Sequence, residues 1–152
     1  MRRMHNEGGL TMPRISKNFT WAEFTASDTA KRLGILNQIT DWDVRDNIIA
    51  LVENVLQPLR DAYGKPITIN SGYRCAELNK RVGGVATSQH TKGQAADCGC
   101  DDPLALARLL LDLGLEFDQA IIYPTFLHIS HKADGENRSQ LLYNKSYIGP
   151  RL

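Results

Sequence analysis

Residues 88–97, SQHTKGQAAD, constrain the fold of this chain more than any other stretch. They place His90 and Asp97 with six residues between them, and a third polar residue of matching chemistry, His128, stands far downstream in the apolar run FLHIS. A fold that uses all three must bring a loop and two distant segments together. Imidazole nitrogen and carboxylate oxygen are ready zinc donors, and three protein ligands with an open fourth position mark a catalytic rather than a structural site. Gly93 allows a sharp backbone turn between the first two ligands, and Ala95 and Ala96 leave room for close approach of neighbouring backbone. Spacing alone does not separate such a site from chance.

Alternation settles which side chains can share a face. In a strand over 126–131, Phe126, His128 and Ser130 lie on one face while Leu127 and Ile129 enter the core on the other. His128 can therefore point at a metal, and His131 faces away as a satisfied or exposed histidine. A strand through Asp97 turns Cys98 and Cys100 to the side opposite Asp97, which makes them core packing rather than thiolate ligands. Three cysteines form no disulfide framework and fit a reducing compartment.

The remaining chain reads as scaffold. Thr20 and Glu23 form a capping box for a helix through Phe24, with Trp21 and Phe24 packing down. A long helix begins near Thr40 or Asp41. Its stripe of Ile48, Val52, Val55, Leu56, Leu59 and Tyr63 has helical spacing, and Gly64 ends it. Pro58 predicts a kink or break near Gln57. A strand follows over 66–70, then a turn at Ser71 and Gly72, a helical turn over 75–81, and a loop at Gly83 and Gly84. Asp101 or Asp102 caps a helix with Pro103 in its first turn, and its leucines predict burial on more than one side. Strands over 119–123 and 126–131 meet at Pro124, and 140–143 reads as an edge strand. Gln89 is expected at the surface.

The motifs SGYRC at 71–75, Leu78 and Asn79, Gly83 and Gly84, SQHTKGQAAD and LHIS at 127–130 occur together in that order. With FTWAEF and residues 27–36 upstream, they resemble the zinc D-alanyl-D-alanine carboxypeptidase family, peptidase family M15, in its short bacterial and phage forms. The resemblance implies an α+β fold of the hedgehog/D-Ala-D-Ala peptidase type, a small, mainly antiparallel sheet carrying the metal with helices packed against it. It implies one zinc ion held by His90, Asp97 and His128, with Arg74 facing the site to hold substrate or an oxyanion. It also implies a contact from Ser88 to substrate or to the metal's surroundings. The expected reaction is metal-assisted hydrolysis of a peptidoglycan stem peptide, either as a D-Ala-D-Ala carboxypeptidase or as an L-Ala-D-Glu endopeptidase.

One position departs from the family pattern. Many members carry an acidic residue or a histidine three positions before the last metal histidine, as general base, and here that position is Thr125. Asp118, Tyr123 and His131 are the local candidates for the base, although a phenol titrating near 10 makes a poor one. Thr125 favours an alternative reading, a non-catalytic, zinc-containing cell-wall binding module of the kind the hedgehog signalling domain suggests.

At 152 residues the chain suits one domain, read as a flexible leader over 1–15 and a single zinc peptidase domain over 16–152. His5 falls in the leader as a solvated tail residue. Eighteen basic residues against 17 acidic, scattered along the chain, give no electrostatic footprint for nucleic acid. No apolar stretch reaches the ~20 residues of a membrane span, so no membrane insertion is expected. A monomer is expected, made in the cytoplasm without a signal peptide and acting on the wall after release, as a phage or prophage lysin would.

Overall fold

The computed structural model describes residues 14–152. His5 and residues 1–13 of the expected leader lie outside the described residues. Arg14 and Ile15, assigned to the leader from sequence, are part of the fold: Arg14 bridges Thr20, and Ile15 packs on the core.

Helix α1, Trp21–Thr25, starts at the expected capping box, in which the Thr20 hydroxyl accepts from Glu23 N–H while the Glu23 carboxylate accepts from Thr20 N–H. Phe24 is fully buried; Trp21 is partly buried under the Arg45 guanidinium, 5.4 Å from its ring. Helix α2, Asp28–Leu33, is capped by Ser27 and stopped by Gly34. Asn37, beyond it, reaches back across the chain. Its amide donates to Thr25 O and Tyr73 O, and its carbonyl accepts from Cys75 N–H.

The long apolar stripe forms the main helical layer. It runs as α3, Trp42–Leu51, a π-helical turn, Val52–Leu56, and α4, Gln57–Tyr63, and Gly64 ends it in the left-handed conformation. Ile48, Leu51, Val52, Val55, Leu56 and Leu59 are all fully buried. The kink expected from Pro58 takes the form of that wider turn. Gln57 N–H reaches back five residues to Val52 O, so the helix passes the proline, which has no N–H and whose ring crowds the preceding turn, without breaking.

Five strands form one sheet in the order β1-β2-β4-β3-β5, with β1 Thr68–Ser71, β2 Ala95–Gly99, β3 Gln119–Ile122, β4 Phe126–Ser130 and β5 Gln140–Tyr143. Every pairing is antiparallel except β3 with β5, which is parallel. The α+β architecture with a mainly antiparallel sheet is therefore as expected. One face, carrying Ile69, Ala96, Cys98, Ala120, Ile122, Leu127 and Ile129, closes the core against the helices. The other face is left for chemistry.

Helix α5, Ala76–Arg81, follows β1, and helix α6, Pro103–Asp112, follows β2 with Asp102 as its cap. The apolar arc of α6 is buried against two neighbours, helix α4 and the sheet, but not all round. Leu106, Ala107 and Leu110 are fully buried where α6 meets α4 and the sheet, and Leu104 and Leu109 flank them partly buried, while Leu111 and Leu113 on the outer side stay 42% exposed. Cys75, Cys98 and Cys100 are free thiols, with Cys98 buried in the core and its thiol pushed well up by that burial. Among the described residues no helix is long and apolar enough to cross a membrane.

Candidate metal centre

The two central strands and one tight turn deliver the three candidate ligands. Asp97 on β2 and His128 on β4 are direct cross-strand partners, so the alternation that sends Cys98 and Leu127 inward turns both polar side chains to the open face. His90 arrives on a 3-10 turn, Gln89–Lys92, capped by the Ser88 hydroxyl, which accepts from His90 N–H at 3.2 Å. Gly93 closes that turn with φ +73° and lies against helix α3, where a Cβ would stand 2.6 Å from Val44 O. The turn is thereby pressed into one position.

One ligand atom from each of His90, Asp97 and His128 lies within 4.8 Å of the other two. The His90 ring is buried and its Nδ1–H donates to Gly72 O at 2.7 Å, so Nε2 keeps its lone pair and faces Asp97 Oδ1 at 3.4 Å. A backbone acceptor that fixes the tautomer and aims the other nitrogen is how metal-binding imidazoles are oriented. His128 Nδ1 stands 2.9 Å from the same carboxylate oxygen, and the two rings meet edge to face at 5.2 Å. With zinc bonds of about 2.0–2.1 Å, a tetrahedral site has ligand-to-ligand edges of about 3.3 Å, close to the observed His90 to Asp97 separation. The donor set fits that metal in both chemistry and spacing.

Charge at the centre follows from burial and hydrogen bonding. Burial pushes the Asp97 carboxyl up, but the neighbouring imidazoles, His128 first and then His90, outweigh it and hold the group well below the usual carboxylate range. Asp97 is thus an anion at every working pH.

Arg74 lies beside the triad. Its N–H donates to His90 O at 3.1 Å and its Nη2 to the Ser88 hydroxyl at 3.3 Å. Burial lowers its pKa, opposed by the charges of Asp97 and Tyr123. Its Nε is buried with no partner among the described residues, an orphan donor on a permanently charged fork. Ser88 spends its two acceptor sites on Arg74 and His90, so its contact is with the groups around the ligands, and only its O–H is left for a substrate.

The three sequence candidates for a base part company. Asp118 is fully buried, and its carboxylate accepts from Arg138 Nε and Nη2, Arg138 N–H and Gln89 Nε2. The Arg138 hydrogen bonds hold it well below the usual range, so it is spent as an acceptor and not free to take a proton. His131 is buried on the opposite face, with Nδ1 bonded to Glu116 O. Tyr123 alone is on the metal side, stacked on Phe126 at 4.2 Å and within electrostatic reach of Arg74. Thr125 is exposed in the turn between β3 and β4. Gln89, expected at the surface, is half-buried and tied to Asp118, because the turn that aims His90 inward also carries its neighbour toward β3.

Sequence reasoning missed Gly72 as the carbonyl that orients His90, and Arg138 and Lys132 as the cations that answer Asp118. No motif spacing marks them; only the buried acid in an otherwise apolar segment, LEFDQAII, hinted that a distant cation was needed.

Comparison with known proteins falls on the same residues. A family model described as Peptidase M15 matches residues 17–130. The zinc D-Ala-D-Ala carboxypeptidase of Streptomyces albus G is 34% identical over 124 residues, which cover 80% of this chain and 47% of that protein. The chain thus spans about half the length of the curated relative it matches.

Proposed function

The chain belongs to the peptidase M15 family, and from that premise we propose that it is a zinc-dependent peptidase acting on peptidoglycan stem peptides. The observation that carries the reading is the convergence of two imidazoles and a carboxylate beside a buried arginine whose Nε is unpartnered. His90, Asp97 and His128 would hold the zinc. When bound, zinc supplies Lewis acidity that polarises a carbonyl and makes water more acidic.

The chain's own residues supply the rest. Asp97, kept anionic, offsets the charge of the cation. Arg74 presents a planar, permanently charged donor to a substrate carboxylate or to the oxygen that gains charge as the amide carbon becomes tetrahedral. The Ser88 O–H adds a neutral donor next to it. Tyr123 is a hydrogen-bond donor on the same side and not a base. The name of the curated relative supports cleavage between D-alanines, with Arg74 on the terminal carboxylate. Cleavage of the L-alanyl bond to D-glutamate is the endopeptidase form of the same chemistry. Resemblance to short phage members supports a lysin as the setting, with a monomer acting on the wall.

Mass spectrometry of defined stem peptides incubated with zinc-loaded protein, beside His90→Ala, tests this. Release of one terminal alanine by the wild type alone establishes the carboxypeptidase; an internal cut establishes the endopeptidase. Because Asp118 is spent on Arg138, His131 is bonded on the opposite face and Thr125 carries no base at the family's usual position, a second reading stands beside it, a zinc-containing wall-binding module. Zinc retention and wall binding without any cleavage would select it.

A further inference from the structure

A groove of ≈ 420 Å³ opens beside the metal centre, sharing Ser88 and His128 with it and running toward β3 and β5. Lys92, Lys132 and Arg138 line it, and no acidic residue does. The acid behind it, Asp118, is fully buried, so three cations stand against one hidden carboxylate. Asp118 grips Arg138 through Nε and Nη2 at 2.9 and 2.8 Å, and the guanidinium, 52% exposed, keeps Nη1 clear of Asp118. Lys132 Nζ is 3.8 Å from the same carboxylate.

Pinning of the chain explains part of this network. Arg138 N–H donates to the Asp118 carboxylate and Gln140 N–H to Asp118 O, which docks the lead into β5 against β3. That account does not reach Lys92, which comes from the 3-10 turn of His90 and has no acidic partner among the described residues. Amide side chains, Gln89, Gln94 and Gln119, stand between the cations; Gln89 donates to Asp118 and Gln94, and Gln119 to Gln140, so part of each amide serves the network and the rest faces the groove. Primary amides match the N–H and C=O groups of a peptide, and a held guanidinium with two ammonium groups matches a carboxylate.

We propose that this groove is a second anion subsite, binding a carboxylate of the substrate peptide beside the metal centre. Ser88 joins the two sites, because its hydroxyl accepts from Arg74 Nη2 and the residue lines the groove together with His128. The substrate class is therefore a short peptide with one carboxylate at its end, for Arg74, and another a few residues inward, for the cations of the groove. Its identity as a stem peptide rests on the peptidase reading above.

The pentapeptide L-Ala-γ-D-Glu-L-Lys-D-Ala-D-Ala and its D-isoglutamine counterpart, which lacks the internal carboxylate, test the subsite. Zinc-loaded wild type and the Lys92→Gln/Lys132→Gln variant are compared; this variant leaves the Arg138 to Asp118 contacts intact. We expect the wild type to show a KM about tenfold lower for the acid than for the amide, the scale of one lost hydrogen bond between charged groups. In the variant that preference falls below about twofold while kcat stays within about twofold. A preference that survives in the variant, a wild type with no preference, or an equal loss for both peptides overturns the proposal. Calorimetry of the tripeptide γ-D-Glu-L-Lys-D-Ala and its D-isoglutamine counterpart, which contain neither scissile bond, gives the same acid-to-amide comparison without turnover. If the wild type cuts neither peptide, the peptidase reading fails, and the calorimetric preference and its loss in the variant still decide the subsite.

Discussion

Gly93→Ala puts the placement of His90 to a quantitative test. Gly93 has φ +73°, and an added Cβ would lie 2.6 Å from Val44 O and 2.9 Å from Ile48 Cγ1. The left-handed backbone costs an alanine about 1–2 kcal/mol. Overpacking against a helix backbone that cannot swing away adds about 1–3 kcal/mol. Gly34 and Gly64 have φ +70° and nothing within 4 Å of the added atom, so Gly34→Ala and Gly64→Ala carry the first contribution alone. Urea unfolding at neutral pH should place the controls about 1–2 kcal/mol below wild type and Gly93→Ala about 2–5 kcal/mol below. Relief of the clash must push the turn off α3 and move His90 from Asp97. Zinc affinity, read by competition with a chelating dye, should therefore fall by at least about tenfold in Gly93→Ala, the scale found when groups that orient metal ligands are altered, and stay unchanged in both controls. Equal stability losses in all three variants, with unchanged zinc affinity, would refute the claim that contact with α3 holds the ligand in place.

Three further outcomes follow from the same contacts. Asn37→Ala removes three hydrogen bonds to backbone around the segment that carries Arg74, and at about 1 kcal/mol each it should lower stability by ~2–3 kcal/mol in denaturant titration and reduce turnover as well. Asp118→Asn should flatten the acid limb of the stability curve: hydrogen bonds from Arg138 lower the folded pKa below the unfolded value near 3.9, so the contribution is complete above about pH 5 and is lost as pH falls through the folded pKa, which thermal melts across that range will register. Arg74→Lys keeps the charge but loses the planar fork, and kcat/KM on a cleaved stem peptide should drop by about 10²-fold, the usual scale for one oxyanion donor, with the melting temperature little changed.

Much of the centre was legible because its ligands sit in locally periodic structure. The alternation in FLHIS is enough to separate His128 from Leu127 and Ile129 and to turn His131 away, and a strand through Asp97 buries Cys98 by the same rule. The capping box at Thr20 and the caps at Asp102 and Gly64 are equally local. What escaped depends on contacts between distant segments. Asp118 pairs with Arg138 twenty residues on, Gln89 with Asp118 twenty-nine away, and His90 with a carbonyl eighteen back, and none leaves a period in the sequence. The leucines of α6 were only partly informative for the converse reason, since composition does not say which of them, here Leu111 and Leu113, are left facing solvent.

Arg74 and His90 are not independent parts. Arg74 N–H bonds to His90 O, Arg74 Nη2 and His90 N–H share the Ser88 hydroxyl, and His90 Nδ1–H bonds to Gly72 O, so residues 72–74 and 88–90 form one closed hydrogen-bonded unit. A displacement of the metal ligand is then felt by the arginine, and the reverse. Ser88→Ala leaves both functional side chains in place, yet it removes the hydroxyl that the Arg74 guanidinium and the His90 backbone N–H both bond. It should cost about 1 kcal/mol of stability as a lost cap and lower kcat/KM by about tenfold through Arg74. In a cycle with Arg74→Ala, most of that activity loss should vanish once the arginine is gone, giving a coupling well above the ~0.3–0.5 kcal/mol scatter of independent sites. Additive losses would mean that Ser88 acts on the substrate by itself and that the arginine is held by the backbone alone.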